Sequence, residues 1–384
     1  MDVAIVGAGP AGSWAAYLLA SRGARVTIFD GSHPREKPCG GGVTGRALSL
    51  VCDAITGTAL ATQQIASARF TGATAAEHAT VPLASGGLVV ASRADFDAAL
   101  LASAVRAGAR LRAARVTNVE ADDSGARITT ADSSHRARFV IGADGANSLV
   151  RRRLGTAFRR DQLSIATGFF ARGTTSREIV IALTSELAGY LWSFPRPDHL
   201  AIGICAQADA AQPGPLRARC ASWIAQTGLA NGAPLTAYSW PIPSLTGDDF
   251  AQPLAGRSWC LAGDAAGLVD PITREGIFFA LTSAAAAADA LLSNDPARSY
   301  RARLLDEVVD ELSRAARLKA GFFRPAFTRL MLHGLRESSE VRAVMADLVA
   351  GAQSYRTLKR RLLQTLEFGL AWRALRASVF GRTA

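Results

Sequence analysis

The sequence predicts an α/β fold, α+β overall, that combines a parallel sheet, an antiparallel sheet and a helical C-terminal region. Three observations predict it. Short apolar runs alternate with helical segments near the N-terminus, as in parallel βαβ units. Residues 162–250 contain several apolar segments separated by polar turns, which is typical of antiparallel strands. Beyond residue 295, apolar residues recur at the spacing of amphipathic helices.

The first thirty residues predict a βαβ unit. Val3–Val6 is a short apolar run of the kind that forms a buried parallel strand. A glycine-rich turn over 7–12 follows, and Ser13–Gly23 has the small residues and the terminal glycine of a helix. A second apolar run, Arg25–Phe29, ends at Asp30. This order is that of dinucleotide-binding units.

The glycine-rich turn has the residues that a bound pyrophosphate requires. Gly7 allows the tight turn, and Gly9 lets a pyrophosphate approach the backbone where a Cβ would clash. Gly12 lets the helix pack closely on the strand. Pro10 and Ala11 stand at the helix N-terminus, whose free N–H groups and dipole favour phosphate. The motif therefore predicts dinucleotide binding, and a purely structural turn is the alternative.

Asp30 narrows the choice of dinucleotide. It follows Gly12 by 18 residues, where a carboxylate can accept hydrogen bonds from the adenosine ribose. An acid at this point favours a ribose 2′-hydroxyl over a 2′-phosphate. FAD and NAD therefore fit the motif, whereas NADP does not.

Two later segments each join a strand to a turn rich in Gly and Asp. The first, over 139–148, contains Asp144 and precedes a short helix. The second, over 259–267, contains Asp264 and leads through Glu275-Gly276-Ile277 to an Ala-rich helix. With these three segments in this order, residues 1–290 resemble the FAD-dependent enzymes of the para-hydroxybenzoate hydroxylase fold.

That resemblance implies non-covalently bound FAD and a set of residues that hold it. Asp264 would bond the ribityl chain, and Asp144 belongs to the second FAD motif. Gly276 and Ile277 would face the pyrimidine edge of the flavin from a helix N-terminus, which stabilises negative charge there. A turn residue is the alternative role for Asp264.

Two more FAD contacts are implied by the same resemblance. Arg93, which opens a predicted helix, matches an arginine that contacts FAD. A surface cap or an ion pair is the alternative for this residue. Val116, in a later strand, is expected to contact the adenine through its backbone.

Two further stretches are similar to the geranylgeranyl reductase family, whose members saturate isolated C=C bonds of polyprenyl chains. These stretches are Lys37-Pro38-Cys39-Gly40-Gly41-Gly42-Val43 and Tyr190-Leu191-Trp192-Ser193-Phe194-Pro195. The resemblance places the first beside the flavin and the second on a strand that faces the substrate cavity. It implies cofactor contacts at Cys39, Gly40 and Gly42.

The chemistry of these stretches agrees with the resemblance. Three adjacent glycines let the backbone approach a planar ring. Cys39 is a candidate proton donor beside the flavin, and a small residue packed on the ring is the alternative. Tyr190, Trp192 and Phe194 alternate along one strand face, so Tyr190 and Trp192 are candidates for an apolar substrate tunnel. Ordinary core packing would explain the same alternation.

One residue departs from the family pattern. The family usually has Gly before Glu-Gly-Ile, whereas Arg274 stands there in this sequence. A bulky cation near the flavin edge could change the redox potential, the access of NADPH or the entry of substrate.

The segments together predict three regions. A discontinuous FAD-binding, Rossmann-like domain comprises 1–42, 93–161 and 251–295, and an antiparallel-sheet substrate-binding domain comprises 43–92 and 162–250. A helical region covers 296–384. A helix is expected over 215–228, and the strands expected in the substrate domain are Ser164–Arg172, Glu178–Thr184, Gly189–Phe194 and Leu200–Ala206.

The C-terminal region is basic and amphipathic. Of the net charge of +11, residues 298–384 supply 17 Lys and Arg against 8 Asp and Glu. One apolar face is expected at Leu305, Val308, Val309, Leu312 and Ala316. Leu358–Phe380 combines apolar residues with Lys359, Arg360, Arg361, Arg373 and Arg376. Such a helix is typical of contact with an anionic membrane, and a helical cap with a solvated face is the alternative. No recognition motif predicts nucleic-acid binding.

The composition excludes several other classes of protein. The chain has 384 residues, of which 49% are apolar, so it can bury a large core and is not a disordered polyelectrolyte. No apolar run approaches the ~18 residues of a membrane-spanning helix, and Asp2 stands where a signal peptide would be basic. Five scattered cysteines without a CxxC pair predict reduced thiols and no metal site. A cytoplasmic location is expected, with peripheral contact at the inner membrane face.

These inferences predict an FAD-dependent oxidoreductase that reduces C=C bonds of an isoprenoid chain with a hydride from flavin N5. NADPH or a ferredoxin-like carrier would supply the electrons. A single-component aromatic monooxygenase on the same fold is the alternative, and a flavin-binding protein without turnover is another. A halogenase is disfavoured because no lysine lies between Lys37 and Lys319.

Overall fold

The computed structural model describes residues 2–72, 77–184 and 187–365. Its strands are β1 (Val3–Val6), β2 (Val26–Phe29), β3 (Gly42–Thr44), β4 (Thr62–Gln64), β5 (Ser67–Thr71), β6 (His78–Pro82), β7 (Leu88–Ala91), β8 (Arg110–Arg112), β9 (Val116–Asp122), β10 (Gly125–Thr130), β11 (Ser134–Ala137), β12 (Phe139–Gly142), β13 (Leu163–Arg172), β14 (Glu178–Leu183), β15 (Tyr190–Pro195), β16 (His199–Gln207), β17 (Leu235–Pro243), β18 (Ala255–Gly256) and β19 (Trp259–Leu261). Its helices are α1 (Pro10–Ser21), α2 (Gly45–Ile55), α3 (Arg93–Arg106), α4 (Leu149–Leu154), α5 (Pro213–Thr227), α6 (Ile277–Ala290), α7 (Pro296–Leu304), α8 (Asp310–Phe322), α9 (Pro325–Glu337), α10 (Ser339–Val349) and α11 (Tyr355–Gln364).

The predicted parallel sheet is confirmed. Its strand order is β18-β19-β12-β1-β2-β8, and β1 lies parallel between β2 and β12. Every residue of β1 is buried, which explains why the run Val3–Val6 is apolar throughout. The carboxyl ends of β1, β12 and β19 lie at the same edge of the sheet, and the three motif turns predicted from the sequence leave from this edge.

A second, seven-stranded sheet has the order β17-β13-β16-β15-β14-β5-β6. It contains the four predicted strands of the substrate domain, each within two residues of its expected bounds. All its neighbours are antiparallel except β14 and β5, which are parallel. The expectation of a wholly antiparallel sheet is therefore wrong at this one pair. The chain between β5 and β14 passes through the parallel sheet, and this long connection permits the parallel pairing.

Two small sheets complete the β structure. Strands β9, β10 and β11 form an antiparallel meander. Strands β3 and β4 pair with β7 on its two sides. Because β3 begins at the third glycine and β7 ends just before α3, this sheet connects the triple glycine to the start of α3. Helix α2 packs against α3 and α6, and its buried residues belong to the core of the parallel sheet. The division into domains at residue 43 stays a prediction.

The C-terminal region is helical as predicted, with one difference in phase. A wider π-helical turn over 305–309 connects α7 to α8. This turn holds more residues than an α-helical turn, so the buried face shifts around the helix. Leu305, expected on the apolar face, is 59% exposed, whereas Val308 is fully buried. Farther along, Ala315 is buried in place of Ala316.

The predicted basic helix is described only in its first part. Helix α11 contains Lys359, Arg360 and Arg361, while Arg373 and Arg376 lie outside the described residues. Within the described ranges, every helix is too short or too polar to span a bilayer.

Candidate functional site

The glycine-rich turn after β1 forms a cradle that side chains would fill. A Cβ on Gly7 would lie 2.4 Å from the carbonyl oxygen of Ala143, and Gly7 has φ +102°. A Cβ on Gly12 would lie 1.9 Å from the carbonyl oxygen of Gly7. Helix α1 begins at Pro10, directly after Gly9 as its N-cap. The residues present therefore fit a dinucleotide pyrophosphate at the N-terminus of this helix.

Asp30 is the centre of a buried network beside this turn. Its carboxylate accepts the N–H of Ala8 and contacts Nδ1 of His33, both at 2.8 Å. The Nε2 of His33 lies 3.5 Å from the carboxylate of Asp97. Burial tends to raise the pKa of Asp30, but the hydrogen bonds from His33 and Ala8 outweigh it and hold the pKa well below its usual range. Asp30 is therefore charged and holds the turn through Ala8, while its hydrogen bonds to an adenosine ribose stay a prediction.

Arg93 takes the ion-pair role that the sequence left open. Its guanidinium forms two hydrogen bonds to Asp97, at 2.9 and 2.8 Å, and only 4% of the residue is exposed. Nη1 of Arg93 also lies 3.6 Å from Sγ of Cys39. The predicted contact between Arg93 and FAD stays a prediction, but the residue does line the cavity that holds Cys39.

The second and third motifs lie close to the first: a Cβ on Gly7 would lie 2.4 Å from the carbonyl oxygen of Ala143, and one on Gly263 would lie 3.1 Å from Cβ of Ala11. Helix α6 begins at Ile277 with Gly276 as its N-cap, and Oδ1 of Asp264 would lie 3.3 Å from a Cβ on Gly276. Lys37 forms an ion pair with Asp264 at 3.0 Å. The ribityl role of Asp264 stays a prediction. The residue lies between Lys37, in the stretch over 37–43, and the start of α6.

Asp144 and Val116 hold less direct positions. The carboxylate of Asp144 accepts hydrogen bonds from the hydroxyl of Ser148 at 2.5 Å and from the N–H of Leu149 at 2.6 Å, so it caps α4. Burial raises the pKa of Asp144 and outweighs these hydrogen bonds, which lower it. Val116 begins β9, directly after the segment that runs beside Gly31. Both cofactor roles stay predictions.

A fully buried arginine fixes the Cys-Gly-Gly-Gly stretch. Arg196, which follows β15, donates to the carbonyl oxygen of Cys39 at 2.7 Å and pairs with Glu36. Glu36 in turn accepts the hydroxyl of Ser92 at 2.7 Å, at the start of α3. A Cβ on Gly41 would lie 3.0 Å from Nε of Arg196. The loop that carries Cys39 is therefore held by Arg196 at the end of β15 and, through Glu36, by the start of α3.

The two stretches that resemble the geranylgeranyl reductases lie against each other. A Cβ on Gly40 would lie 3.0 Å from the ring of Phe194, and one on Gly42 would lie 3.1 Å from it. Trp192 packs across the backbone of Gly203 on β16. The hydroxyl of Tyr190 donates to the carbonyl oxygen of Thr273 at 2.8 Å, just before the flavin motif at 275–277. Burial raises the pKa of Tyr190 well above its ordinary value.

A cavity of about 240 Å³ joins these features. One end is lined by the cofactor motifs, including Cys39, Asp264 and Gly276. The walls farther away are largely apolar and come from both the seven-stranded sheet and the C-terminal helices. Residues of these walls are Phe70, Ile179, Ile181, Leu183, Tyr190, Trp192, Phe194, Ile242, Phe322, Met345, Leu348 and Val349. The arrangement can hold an apolar chain with one end beside the cofactor motifs.

The backbone conformation at Arg274 explains why the family pattern has glycine at this position. Its backbone has φ +63°, in the left-handed region that glycine enters without strain. The turn that it closes is built on Asp270, whose carboxylate accepts the N–H of Ile272 at 2.7 Å and the hydroxyl of Tyr355 at 2.9 Å. Tyr355 belongs to α11, so the last described helix supports the loop that precedes α6.

Sequence reasoning missed several residues of the site. Asp97 was not singled out, although it stands four residues after Arg93 on one helix, a spacing that indicates an ion pair. His33 lies three residues after Asp30, which is a weaker signal. Arg196 belongs to a stretch expected to be a polar turn, yet it is fully buried. The cavity walls on α8 and α10 carry no motif, so only the structure could assign them.

Comparison with known proteins agrees with this geometry. Residues 1–198 match the model of the FAD binding domain family, which identifies the cofactor as FAD. The menaquinone reductase of Mycobacterium tuberculosis is 32% identical over 85% of this chain and 85% of its own length. The geranylgeranyl diphosphate reductase of Rhodobacter capsulatus is 29% identical over 76% of this chain and 75% of its own.

A solved structure shares the fold. The geranylgeranyl bacteriochlorophyll reductase-like protein of Thermoplasma acidophilum superposes with a TM-score of 0.77 and 22% identity, over 95% of this chain and 98% of that one. The expected mixed α/β fold, with its FAD-binding domain, is therefore confirmed.

Proposed function

Because this chain belongs to the geranylgeranyl reductase family of FAD-dependent oxidoreductases, we propose that it reduces C=C bonds of an isoprenoid chain. Menaquinone and geranylgeranyl diphosphate, the compounds in the names of two relatives, have different head groups and share an isoprenoid chain. NADPH or a ferredoxin-like carrier would supply the electrons. The observation that carries the proposal is the apolar cavity that begins at Cys39 and the flavin motifs.

The cofactor and the cavity walls have separate roles in the proposed reduction. FAD, when bound, supplies a hydride to one alkene carbon. The walls of the cavity hold the chain and exclude water from the alkene, which has no polar group by which to be oriented. Positioning must therefore supply much of the rate, up to about 7–11 kcal/mol in favourable cases. Trp192 and Phe194 contribute the wall nearest the Cys39 loop.

Cys39 is the residue that we propose to donate the proton to the second alkene carbon. Its thiol is half-buried and lines the cavity. The negative charge left on sulfur would lie beside the guanidinium of Arg93, 3.6 Å away. Tyr190 is less suited to donate a proton, because its hydroxyl already donates a hydrogen bond to the carbonyl oxygen of Thr273 and because burial raises the pKa of Tyr190. We propose that Tyr190 instead positions the loop before α6.

The test is anaerobic oxidation of the dithionite-reduced holoenzyme by geranylgeranyl diphosphate and by menaquinone. We expect the flavin absorbance to return with at least one of them. Because the quinone ring of menaquinone can also oxidise the flavin, any quinol is re-oxidised in air before mass spectrometry, and the isoprenoid chain should still carry two added hydrogen atoms. Oxidation that requires O₂ and yields a hydroxylated aromatic product would instead establish the monooxygenase alternative.

A substitution tests the proton donor. Cys39→Ala should lower the rate of flavin oxidation by about 10²-fold or more, because a general acid contributes at least that much. The matched control is Cys52→Ala, an exposed cysteine on α2, which should leave the rate unchanged. A C39A enzyme that keeps its flavin spectrum and the full rate would exclude Cys39 as the donor.

A further inference from the structure

Two basic side chains meet behind the cavity at a single hydroxyl group. Nη1 of Arg274 donates to Oγ of Ser244 at 2.7 Å, and Nζ of Lys319 donates to the same oxygen at 2.8 Å. Lys319, on α8, also donates to Oε1 of Gln207 at 2.7 Å. Ser244 is fully buried, at the end of β17. Three separate elements and the loop before α6 therefore converge on this cluster.

The positive charge of the cluster is not neutralised by the part of the chain that the structure describes. Neither Arg274 nor Lys319 forms an ion pair with a described carboxylate. Burial, followed by the charge of Arg274, lowers the pKa of Lys319 to about 8, while Asp209 and Cys205 oppose the change. Asp209 is exposed, and its carboxylate makes no hydrogen bond to the cluster within the described ranges. Arg274 and Lys319 are both partly buried, and two partly buried cations side by side cost free energy that an anion between them would offset.

The guanidinium of Arg274 also has unused hydrogen-bond donors. Its Nε and Nη2 are buried and have no partner among the described residues. Nε1 of Trp240, another residue that lines the cavity, is buried and without a partner as well. A buried donor without an acceptor costs free energy. All of these groups are donors, so the ligand that satisfies them must bring acceptor oxygens.

Arg274 connects the cluster to the cavity. It lines the cavity together with its chain neighbours Thr273 and Gly276. Its left-handed backbone holds the side chain in a turn that Tyr190 anchors through Thr273. An apolar chain that lies along the cavity wall can thus present a charged end to Arg274.

We propose that Arg274 and Lys319 bind the anionic, phosphate-bearing end of an isoprenoid substrate. The proposal rests on the proposed function and narrows it, because it selects substrates with a charged head group over neutral ones. Arg274 replaces a glycine of the family pattern, so the site would be a property of this chain.

Binding to the oxidised holoenzyme, without turnover, tests the proposal. Geranylgeranyl diphosphate and the neutral alcohol geranylgeraniol would be titrated against the wild type, Arg274→Gly and Lys319→Gln, with flavin absorbance and calorimetry as readouts. Each variant removes a charge, and glycine fits the backbone at 274. We expect each variant to weaken diphosphate binding by roughly tenfold or more. Binding of the alcohol should change by less than about twofold.

The control is Lys359→Gln, which removes an equal charge from α11 and should leave both affinities unchanged. Equal affinity of the wild type for the diphosphate and the alcohol would overturn the proposal. It would also be overturned if inorganic pyrophosphate bound as tightly as geranylgeranyl diphosphate, because the site would then serve free phosphate.

The failure of the proposed function has a separate signature. If the variants lost diphosphate binding as expected but no isoprenoid oxidised the reduced flavin, the anion site would stand and the reductase proposal would fall. If isoprenoids oxidised the flavin and the variants bound the diphosphate normally, the reductase proposal would stand and the anion site would fall.

Discussion

At the scale of single residues, Arg274 combines a strained backbone with a partly buried charge. A residue with a Cβ at φ +63° pays for the left-handed conformation, which glycine adopts freely. The structure therefore gives a physical reason for the family glycine that the sequence alone marked only as a departure. Strain of this kind persists only where the surrounding structure holds the residue, as the hydrogen bond to Ser244 holds the side chain here.

This strain can be measured by comparing two substitutions at the same position. Arg274→Ala and Arg274→Gly both remove the guanidinium and its hydrogen bond to Ser244. Only glycine relieves the backbone, so R274G should exceed R274A in free energy of unfolding by about 1 kcal/mol. Urea denaturation of the two holoenzymes measures the difference. Equal stabilities would show that the turn rearranges when the side chain is lost.

The residues of the site differ in how far the sequence could predict them. Gly7, Gly12 and Gly276 were predictable because each occupies a place where the backbone must be bare or must begin a helix. Arg196 was not, because its partners, Glu36 and the carbonyl of Cys39, are about 157 residues or more away along the chain. An ion pair between residues so far apart leaves no local pattern in the sequence from which the pair could be predicted.

At the scale of secondary structure, the strands and helices of the parallel sheet were predictable, while the role of the C-terminal helices was not. The period of the apolar residues indicated helices after 295, but the π-helical turn at 305–309 shifted the buried face. That α8 and α10 form a cavity wall depends on how they dock onto β5 and β14, which periodicity does not report.

The role of α10 can be tested by filling the cavity from its side. Leu348→Trp should lower kcat/KM for geranylgeranyl diphosphate by about tenfold or more, because one added methylene can cost a substrate as much. The flavin spectrum should stay unchanged, since Leu348 lies away from the glycine-rich turn. Leu292→Trp, at a position that is 69% exposed, is the control. Unchanged kinetics for L348W would place the substrate elsewhere.

At the scale of the whole molecule, stability depends on pH through the network below the glycine-rich turn. Burial tends to lower the pKa of His33, but hydrogen bonds to Asp30 and Asp97 outweigh it and raise the pKa above 6.5. The protonated imidazole therefore stabilises the folded state most fully below pH 6.5. This contribution is lost as the pH rises through the raised pKa of the folded protein.

His33→Gln isolates this contribution. The difference in free energy of unfolding between wild type and H33Q should be largest below pH 6.5 and should decline at higher pH. Denaturation of both holoenzymes over a pH series measures it. His78→Gln, on the exposed face of β6, should show no such trend relative to the wild type. A difference independent of pH would mean that folding leaves the pKa of His33 unchanged.

The buried position of Arg196 has a consequence for protein engineering. This one cation holds the loop of Cys39, and through Glu36 it reaches the start of α3. A chimaera that grafts the large sheet of a relative onto this nucleotide-binding half would separate the two members of the pair. Glu36 would then keep its charge without the cation that pairs with it here, so a successful transplant has to carry Glu36 and Arg196 together.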